Sequence, residues 1–496
     1  MNVPRTAYRV LTPADVVTVT LLCVAPILRI ALMTGAVGSD DVSYFHFSQR
    51  LLALQHFDEL HHHGGRLFFL LLTGLPTAAL GSVQAGAIVT IVYLSVRDVV
   101  VSLFVRHETG PTGAACAAGF LSVNALSTTY AGLFLPDALV SVLAFAAALL
   151  AYRMPLARNA ARASALVIGA GIATAAAYSA KDSGILLTLP IVAWLALQRQ
   201  HALTRRIAWI VQYAAAFAAI VGVEMAVYGW IAGDPLYRFH ALSAVHNVGM
   251  GGGRSVYRFA QTAYWNLLSV LAPTAGTLPV LAIGALTFVL ASALRSRLWF
   301  FAATGAFVGA YLVFGTSGLT RLVPMYVQDR YFEPVVPFVA VAIGSVAAAW
   351  VRRHGWRVPA AVAAFCAAVS FPAVGVNAGD VTFSAFGKNA ALAISSIRHT
   401  DPDATVFVTP NLRFTIEPFV SREVFQSLKL MPKEGPFPRG YYVVHAFKDV
   451  GYRTPRIAEV EALPIALVVA TDQHKLGVRW GKAVGNNDRA IVRVVR

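Results

Sequence analysis

The sequence predicts a mainly α protein: a polytopic bundle of transmembrane helices with a small C-terminal α/β domain. Of its 496 residues, 57% are hydrophobic and only 13% charged, about half the charged share of a soluble domain. Apolar stretches long enough to cross about 30 Å of hydrocarbon recur along most of the chain. From about Asp380 that character ends, and short segments of alternating polarity between Pro/Gly turns take over.

About eleven spans are expected, at 12–36, 83–105, 112–129, 137–153, 163–180, 184–199, 207–231, 267–294, 298–315, 332–351 and 358–377. The first follows Arg5 and Arg9; its length and lack of a small-residue cleavage site predict an uncleaved helix rather than a secretory signal. One side of the membrane receives Arg106 and the loops Arg153–Arg162, Arg199–Arg206, Arg295–Arg297 and Arg352–Arg357. The positive-inside rule makes that side cytoplasmic. Loops 37–82, 130–136, a tight turn near 181, 232–266 and 316–331 then lie outside, as expected for a bacterial inner-membrane protein with a periplasmic face. Parity also decides the segment Leu67–Leu80, which is apolar but short and contains Gly74 and Pro76. As a full span it would put every later arginine loop outside, so an interfacial or re-entrant helix on the outer leaflet is expected.

The net charge of +16 therefore reports topology rather than a nucleic-acid-binding face. Cys23, Cys116 and Cys366 all fall in apolar spans, giving neither a disulfide framework nor a metal-type spacing. Two domains follow: a membrane module, 1–377, and a periplasmic α/β domain, 378–496, with a helix at 385–398 and strands at 404–409, 441–446, 464–470 and 490–495. Within the module, loop 232–266 carries Gly249, Gly251, Gly252 and Gly253 and is expected to be mobile.

Acids are scarce in residues 1–377, and nine map to the outer side: Asp40, Asp41, Asp58, Glu59, Asp137, Asp182, Asp234, Asp329 and Glu333. The positive-inside rule does not require that bias, and ionisable groups at a bilayer are costly to place. Asp58, Glu59 and Asp234 read as solvated loop acids; the others abut apolar spans. The densest cluster is Gly38–Phe45, holding Asp40, Asp41 and Tyr44, followed by His61–Arg66. Adjacent carboxylates there could supply a general base, and a helix N-cap is as good a reading of Asp40. Three successive histidines seldom converge on one ion, so His62 and His63 read better as donors to an anion than as metal ligands. No resident cofactor is indicated, and a divalent cation is left open. Arg66, Lys181 and Arg330 are the outer cations best placed for a phosphate, although Lys181 could pair with Asp182 and Arg330 with Asp329. Arg29 could snorkel to the interface. Arg97 and Asp98 could satisfy each other, and Glu224 could face a neighbouring helix.

Taken in order, these residues resemble the GT-C superfamily of membrane glycosyltransferases, which includes protein O-mannosyltransferases and the aminoarabinose transferase of lipid A. The likeness runs over roughly residues 15–350: Arg29 near the outer end of the first helix, then Asp40-Asp41 with Tyr44, His61–Arg66 leading into 67–80, Pro136-Asp137, Ser179–Ser183 around Lys181, and Arg330-Tyr331 followed by Pro334 and Pro337. Asp-Asp stands where the family commonly has Asp-Glu, and His-Gly-Gly stands for His-Pro-Pro. The resemblance implies an inverting transfer of a hexosyl or pentosyl group from a polyprenyl-phosphate sugar to a hydroxyl of a glycan, lipid or protein. It implies Asp40 as base with Asp41 orienting, and Arg66, Lys181, Arg330, Tyr331 and a histidine at the phosphate; Asp137, Asp182 and Tyr44 are further candidates. An O-antigen-type polymerase or ligase, a flippase of lipid-linked glycans, and a GT-C scaffold without catalysis are the competing readings.

Overall fold

The computed structural model describes residues 11–31, 33, 40–57, 60–249, 297–315, 329–354, 386–409, 412–413, 416–432, 434–445, 459–460, 462–469 and 490–495. Expected spans 267–294 and 358–377, the glycine stretch 251–253, Asp58, Glu59 and Cys366 lie outside these residues.

Every expected span on described residues is helical. The helices are α1 (Pro13–Ala31), α2 (Asp40–Leu52), α3 (Leu67–Ala79), α4 (Val83–Thr109), α5 (Pro111–Val123), α6 (Ala125–Tyr130), α7 (Asp137–Arg153) and α8 (Ala160–Ala180), then α9 (Thr188–Ala196), α10 (Leu203–Ile231), α11 (Tyr237–Gly249), α12 (Trp299–Phe314) and α13 (Val336–His354). Among the described residues, six helices are long and apolar enough to cross a membrane. Their boundaries follow from local chemistry. The Ser82 side chain accepts from the Gln84 N–H to open α4, Gly110 at φ 96° closes it, and Pro111 starts α5. Asn124 and Asn159 accept from the N–H groups of Ser127 and Arg162 to open α6 and α8.

Helix α8 packs on α7 and α10, while α5 packs on α1, α4 and α13. Small residues permit the last contact: a Cβ on Gly113 would lie 2.7 Å from the Gly344 carbonyl oxygen. The span 330–352 is the enclosed one, with 83% of its window buried, whereas α10 has 11% and faces outwards. Helix α3 is too short to span, about 20 Å at 1.5 Å per residue. Its buried residues include Leu67, Leu70, Thr73, Gly74, Thr77 and Ala78, while Leu72 is exposed, a one-sided pattern.

The interior holds a charge cluster that local reading of the sequence split up. Arg29, fully buried, lies 2.5 Å from Asp98; Asp98 accepts from Arg97 at 2.8 and 3.0 Å; Arg97 pairs with Glu333. Ser127 and Ser141 hydroxyls each accept from Arg97 at 3.0 Å. Arg29 thus does not snorkel, and Arg97 and Asp98 are not satisfied by each other alone. A lone charge in hydrocarbon costs up to about 3 kcal/mol; two cations and two anions gathered together sum to zero.

Loop 232–266 also differs from expectation where it is described: its residues 237–249 form α11, with Tyr237 and Arg238 buried.

In the C-terminal part, α14 (Phe386–Thr400) packs on a five-stranded mixed sheet of β1 (Val406–Val408), β2 (Lys429–Leu430), β3 (Gly440–His445), β4 (Ile465–Val469) and β5 (Ala490–Val495), in the order β2-β1-β3-β5-β4. β1 runs parallel to β2 and β3, and β5 runs antiparallel to β3 and β4. Ile394, Ile397, Val406, Val408, Val443 and Val492 form its core. Phe419 packs instead on the core of the membrane module.

Candidate active site

Helix α2 begins at Asp40, so both adjacent acids occupy a first turn, where the helix dipole favours carboxylates. They diverge from there. Asp40 keeps 31% of its side chain exposed and accepts from Arg330 Nη2 at 2.7 Å, while Asp41 is buried. One turn on, the buried Tyr44 hydroxyl accepts from Arg66, and the His63 ring stands edge-on to Tyr44 with centroids 4.5 Å apart. His63 Nε2 lies 3.6 Å from Asp40 Oδ1. The His-Gly-Gly turn owes its glycine to close approach: a Cβ on Gly64 would stand 2.6 Å from the Tyr237 hydroxyl, and the Gly64 carbonyl accepts from Tyr228 at 2.8 Å.

Lys181 follows α8 in extended conformation, and a 3-10 turn, Asp182–Leu187, folds back behind it. A Cβ on Gly184 would lie 2.3–2.5 Å from the backbone of Ala177 and Tyr178, so the tight return needs glycine there. The Lys181 ammonium pairs with Asp137, at the start of α7, and sits 3.5 Å from the Tyr331 ring centroid. The Arg330 guanidinium lies 5.7 Å from the same ring. Asp40, Tyr44, His63, Arg66, Asp137, Lys181, Arg330 and Tyr331 therefore gather in one place. Of the local pairs considered from sequence, Lys181–Asp182 is not used, since Lys181 takes Asp137, while Arg330 reaches Asp40 and the Asp329 side chain lies outside the described residues. Asp182 pairs with Arg238 at 2.6 Å.

Arg238 is the residue that sequence reading missed. Buried on α11, it also pairs with Glu224 at 3.0 Å, donates to the Tyr178 carbonyl and lies 4.0 Å over the Tyr178 ring. Ser179 donates to Glu224 at 2.7 Å. An arginine in a loop reads as solvated; the available signal was Glu224, a lone acid inside a span that had to have a partner. Asp234, by contrast, pairs with exposed His240 at 2.7 Å, as its solvated reading anticipated.

Burial dominates the electrostatics. It holds His63 well below the ordinary histidine range, although Asp40 pulls the other way, so the ring is neutral at pH 7. Burial, opposed by Asp137 and assisted by Arg330 and Arg66, lowers Lys181 to about 7. Several polar atoms here are buried with no hydrogen-bond partner among the described residues: both His63 ring nitrogens, Arg66 Nε, Arg330 Nε and Asp137 Oδ2. Donors left idle in a buried cluster mark a place for a ligand. One ring nitrogen from each of His61, His62 and His63 lies within 4.8 Å of the others, so the three imidazoles are gathered at one point.

An anion here binds the protonated lysine. Above pH 7 the free site must first take up a proton, so affinity for a phosphate is expected to fall about tenfold between pH 7 and 8.5. Titration of phosphate-lipid binding from pH 6 to 9 checks this, with Lys181→Arg flattening the profile.

Neither a protein-family model nor a curated relative matches the sequence. Solved structures match its fold. ArnT from Cupriavidus metallidurans bound to undecaprenyl phosphate superposes with a TM-score of 0.57 at 15% identity, over 96% of this chain and 97% of that one. Apo ArnT gives 0.54 at 14% identity, over 97% and 98%. The apo oligosaccharyltransferase of Archaeoglobus fulgidus gives 0.54 at 14%, over 82% of this chain, which spans only 63% of the archaeal protein. At such identities the likeness is one of fold: the chain shares the helical membrane architecture of these solved structures.

Proposed function

We propose that this chain is an inverting glycosyltransferase that moves a sugar from a polyprenyl-phosphate donor to an acceptor hydroxyl at the periplasmic face of a bacterial inner membrane. The observation that carries this is the cluster of largely enclosed cations, Arg66, Lys181 and Arg330, the two arginines each with an idle Nε donor, beside a partly accessible carboxylate, Asp40. The fold neighbours support it: ArnT is solved with undecaprenyl phosphate, and the archaeal enzyme AglB with a dolichol-phosphate and an inhibitory peptide.

In this reading the donor phosphate sits against Arg66, Lys181 and Arg330, with Tyr331 and a neutral histidine, His63 or His62, donating hydrogen bonds. Asp40 takes the proton of the acceptor hydroxyl as its oxygen bonds to the anomeric carbon. The bond from that carbon to the phosphate oxygen breaks, its electron pair stays on the phosphate, and polyprenyl phosphate leaves. Attack opposite the leaving group inverts the anomeric centre. The fixed cations stabilise the charge growing on the phosphate, and Asp41, Asp137 and Tyr44 hold the base and cations in place. The acceptor is a hydroxyl of a glycan, lipid or protein; the donor sugar is a hexose or pentose. His61–His63, with Asp40 beside His63, offer donor types that suit a divalent cation.

The flippase reading asks for charges along a path through the membrane; among the described residues, the buried charges Arg29, Arg97, Asp98 and Glu333 are instead closed on one another.

The test is release of undecaprenyl phosphate from an undecaprenyl-phosphate pentose or hexose by the purified protein in liposomes. Lys181→Met is expected to lower turnover at least 100-fold, the scale of one lost transition-state charge contact. Wild-type protein that binds neither the donor nor undecaprenyl phosphate would refute the assignment.

A further inference from the structure

Glu333 has no place in the chemistry above, yet it is 2% exposed and heavily bonded. Its carboxylate pairs with Arg97 and accepts from Ser127 at 2.7 Å, and its backbone carbonyl accepts from Ser141 at 3.0 Å. It belongs to the 3-10 turn Asp329–Val335, which also carries Arg330 and Tyr331. In a 3-10 helix, residues i and i+3 eclipse, about 6 Å apart along the axis. Arg330 and Glu333 therefore stand on the same edge of one turn, and Pro334 stiffens it immediately afterwards. Phe332 and Val335 are buried on its other sides. Glu333 and Asp137, the partner of Lys181, both line one small cavity together with Ser127 and Tyr130.

We propose that Glu333 is a positioning residue: clamped by Arg97, Ser127 and Ser141, it fixes the rotation of the 3-10 turn and so aims Arg330 and Tyr331 at the donor phosphate. This rests on the reading of the site as one for a polyprenyl phosphate. A neutral glutamine keeps the shape of the clamp but loses the Arg97 ion pair. The turn can then rotate, and a displacement of about 1 Å at such a site costs up to 100-fold.

The experiment measures undecaprenyl phosphate affinity and acceptor KM for the full chain and three variants. Glu333→Gln is expected to weaken undecaprenyl phosphate binding about tenfold with acceptor KM unchanged. Ser141→Ala, which frees the backbone of the turn and removes one hydrogen bond from Arg97 while leaving every charge in place, should weaken it about threefold. Arg29→Gln disturbs the same cluster at a residue bonded to Asp98 and the Leu121 carbonyl rather than to the turn, and leaves Asp98 with Arg97; it should lower the melting temperature but keep the affinity. The proposal is overturned if Glu333→Gln and Ser141→Ala bind like wild type, or if Arg29→Gln loses as much affinity as they do. Should Glu333→Gln fail to fold, Ser141→Ala against Arg29→Gln decides. Failure of the wild type to bind undecaprenyl phosphate overturns instead the reading of the site, and this inference with it.

Discussion

Asp40→Asn is expected to lower sugar transfer by about 10²–10⁴-fold, the usual worth of a general base, while the protein stays folded and binds polyprenyl phosphate at least as tightly as before. The reason lies in the pairing of Asp40 with Arg330 at 2.7 Å. Asparagine preserves the shape but neither accepts the proton nor holds the guanidinium, which is released to the phosphate. A loss of turnover with retained or improved affinity for the leaving lipid therefore separates a base from a ligand-binding acid. Asp41→Asn provides the contrast: Asp41 is 1% exposed, so its loss should act first on the stability of α2. The measurement is single-turnover transfer alongside undecaprenyl phosphate binding. Equal activity of Asp40→Asn and wild type would remove Asp40 from the reaction.

Arg97→Met should destabilise the membrane module by about 3–5 kcal/mol, because breaking a buried pair leaves uncompensated charge behind. Arg97 serves Asp98, Glu333, Ser127 and Ser141 at once. Asp98 retains Arg29, so the stranded group is Glu333. Adding Glu333→Gln to Arg97→Met should consequently recover much of the loss, giving a non-additive double-mutant cycle. Thermal denaturation in detergent reads the effect. Simple addition of the two losses would show that the residues do not depend on each other.

What the sequence disclosed and what it withheld divide by range. Span positions rest on length and on arginines at helix ends, both local, and the helices followed them closely. The strands of the C-terminal domain were legible for the same reason, except β2, Lys429–Leu430, two residues that are a strand only because β1 lies beside them. Partnership is not local. Lys181 next to Asp182 looks like a pair, yet the extended backbone at Lys181 sends it to Asp137, 44 residues away. Arg29 and Asp98 are 69 residues apart and looked like two separate problems. Arg238 was hidden because nothing near it in the chain is its partner.

The Arg330–Asp40 contact joins residues 290 positions apart. A ribosome making about 5–20 residues per second delivers the cation some tens of seconds after the acid. During that interval Arg66 and Lys181 are already made, but Asp40 lacks its Arg330 contact and the cluster lacks Tyr331. On the proposed function, a product that stops short of the 3-10 turn is therefore expected to be inactive, so that the last element made completes the first.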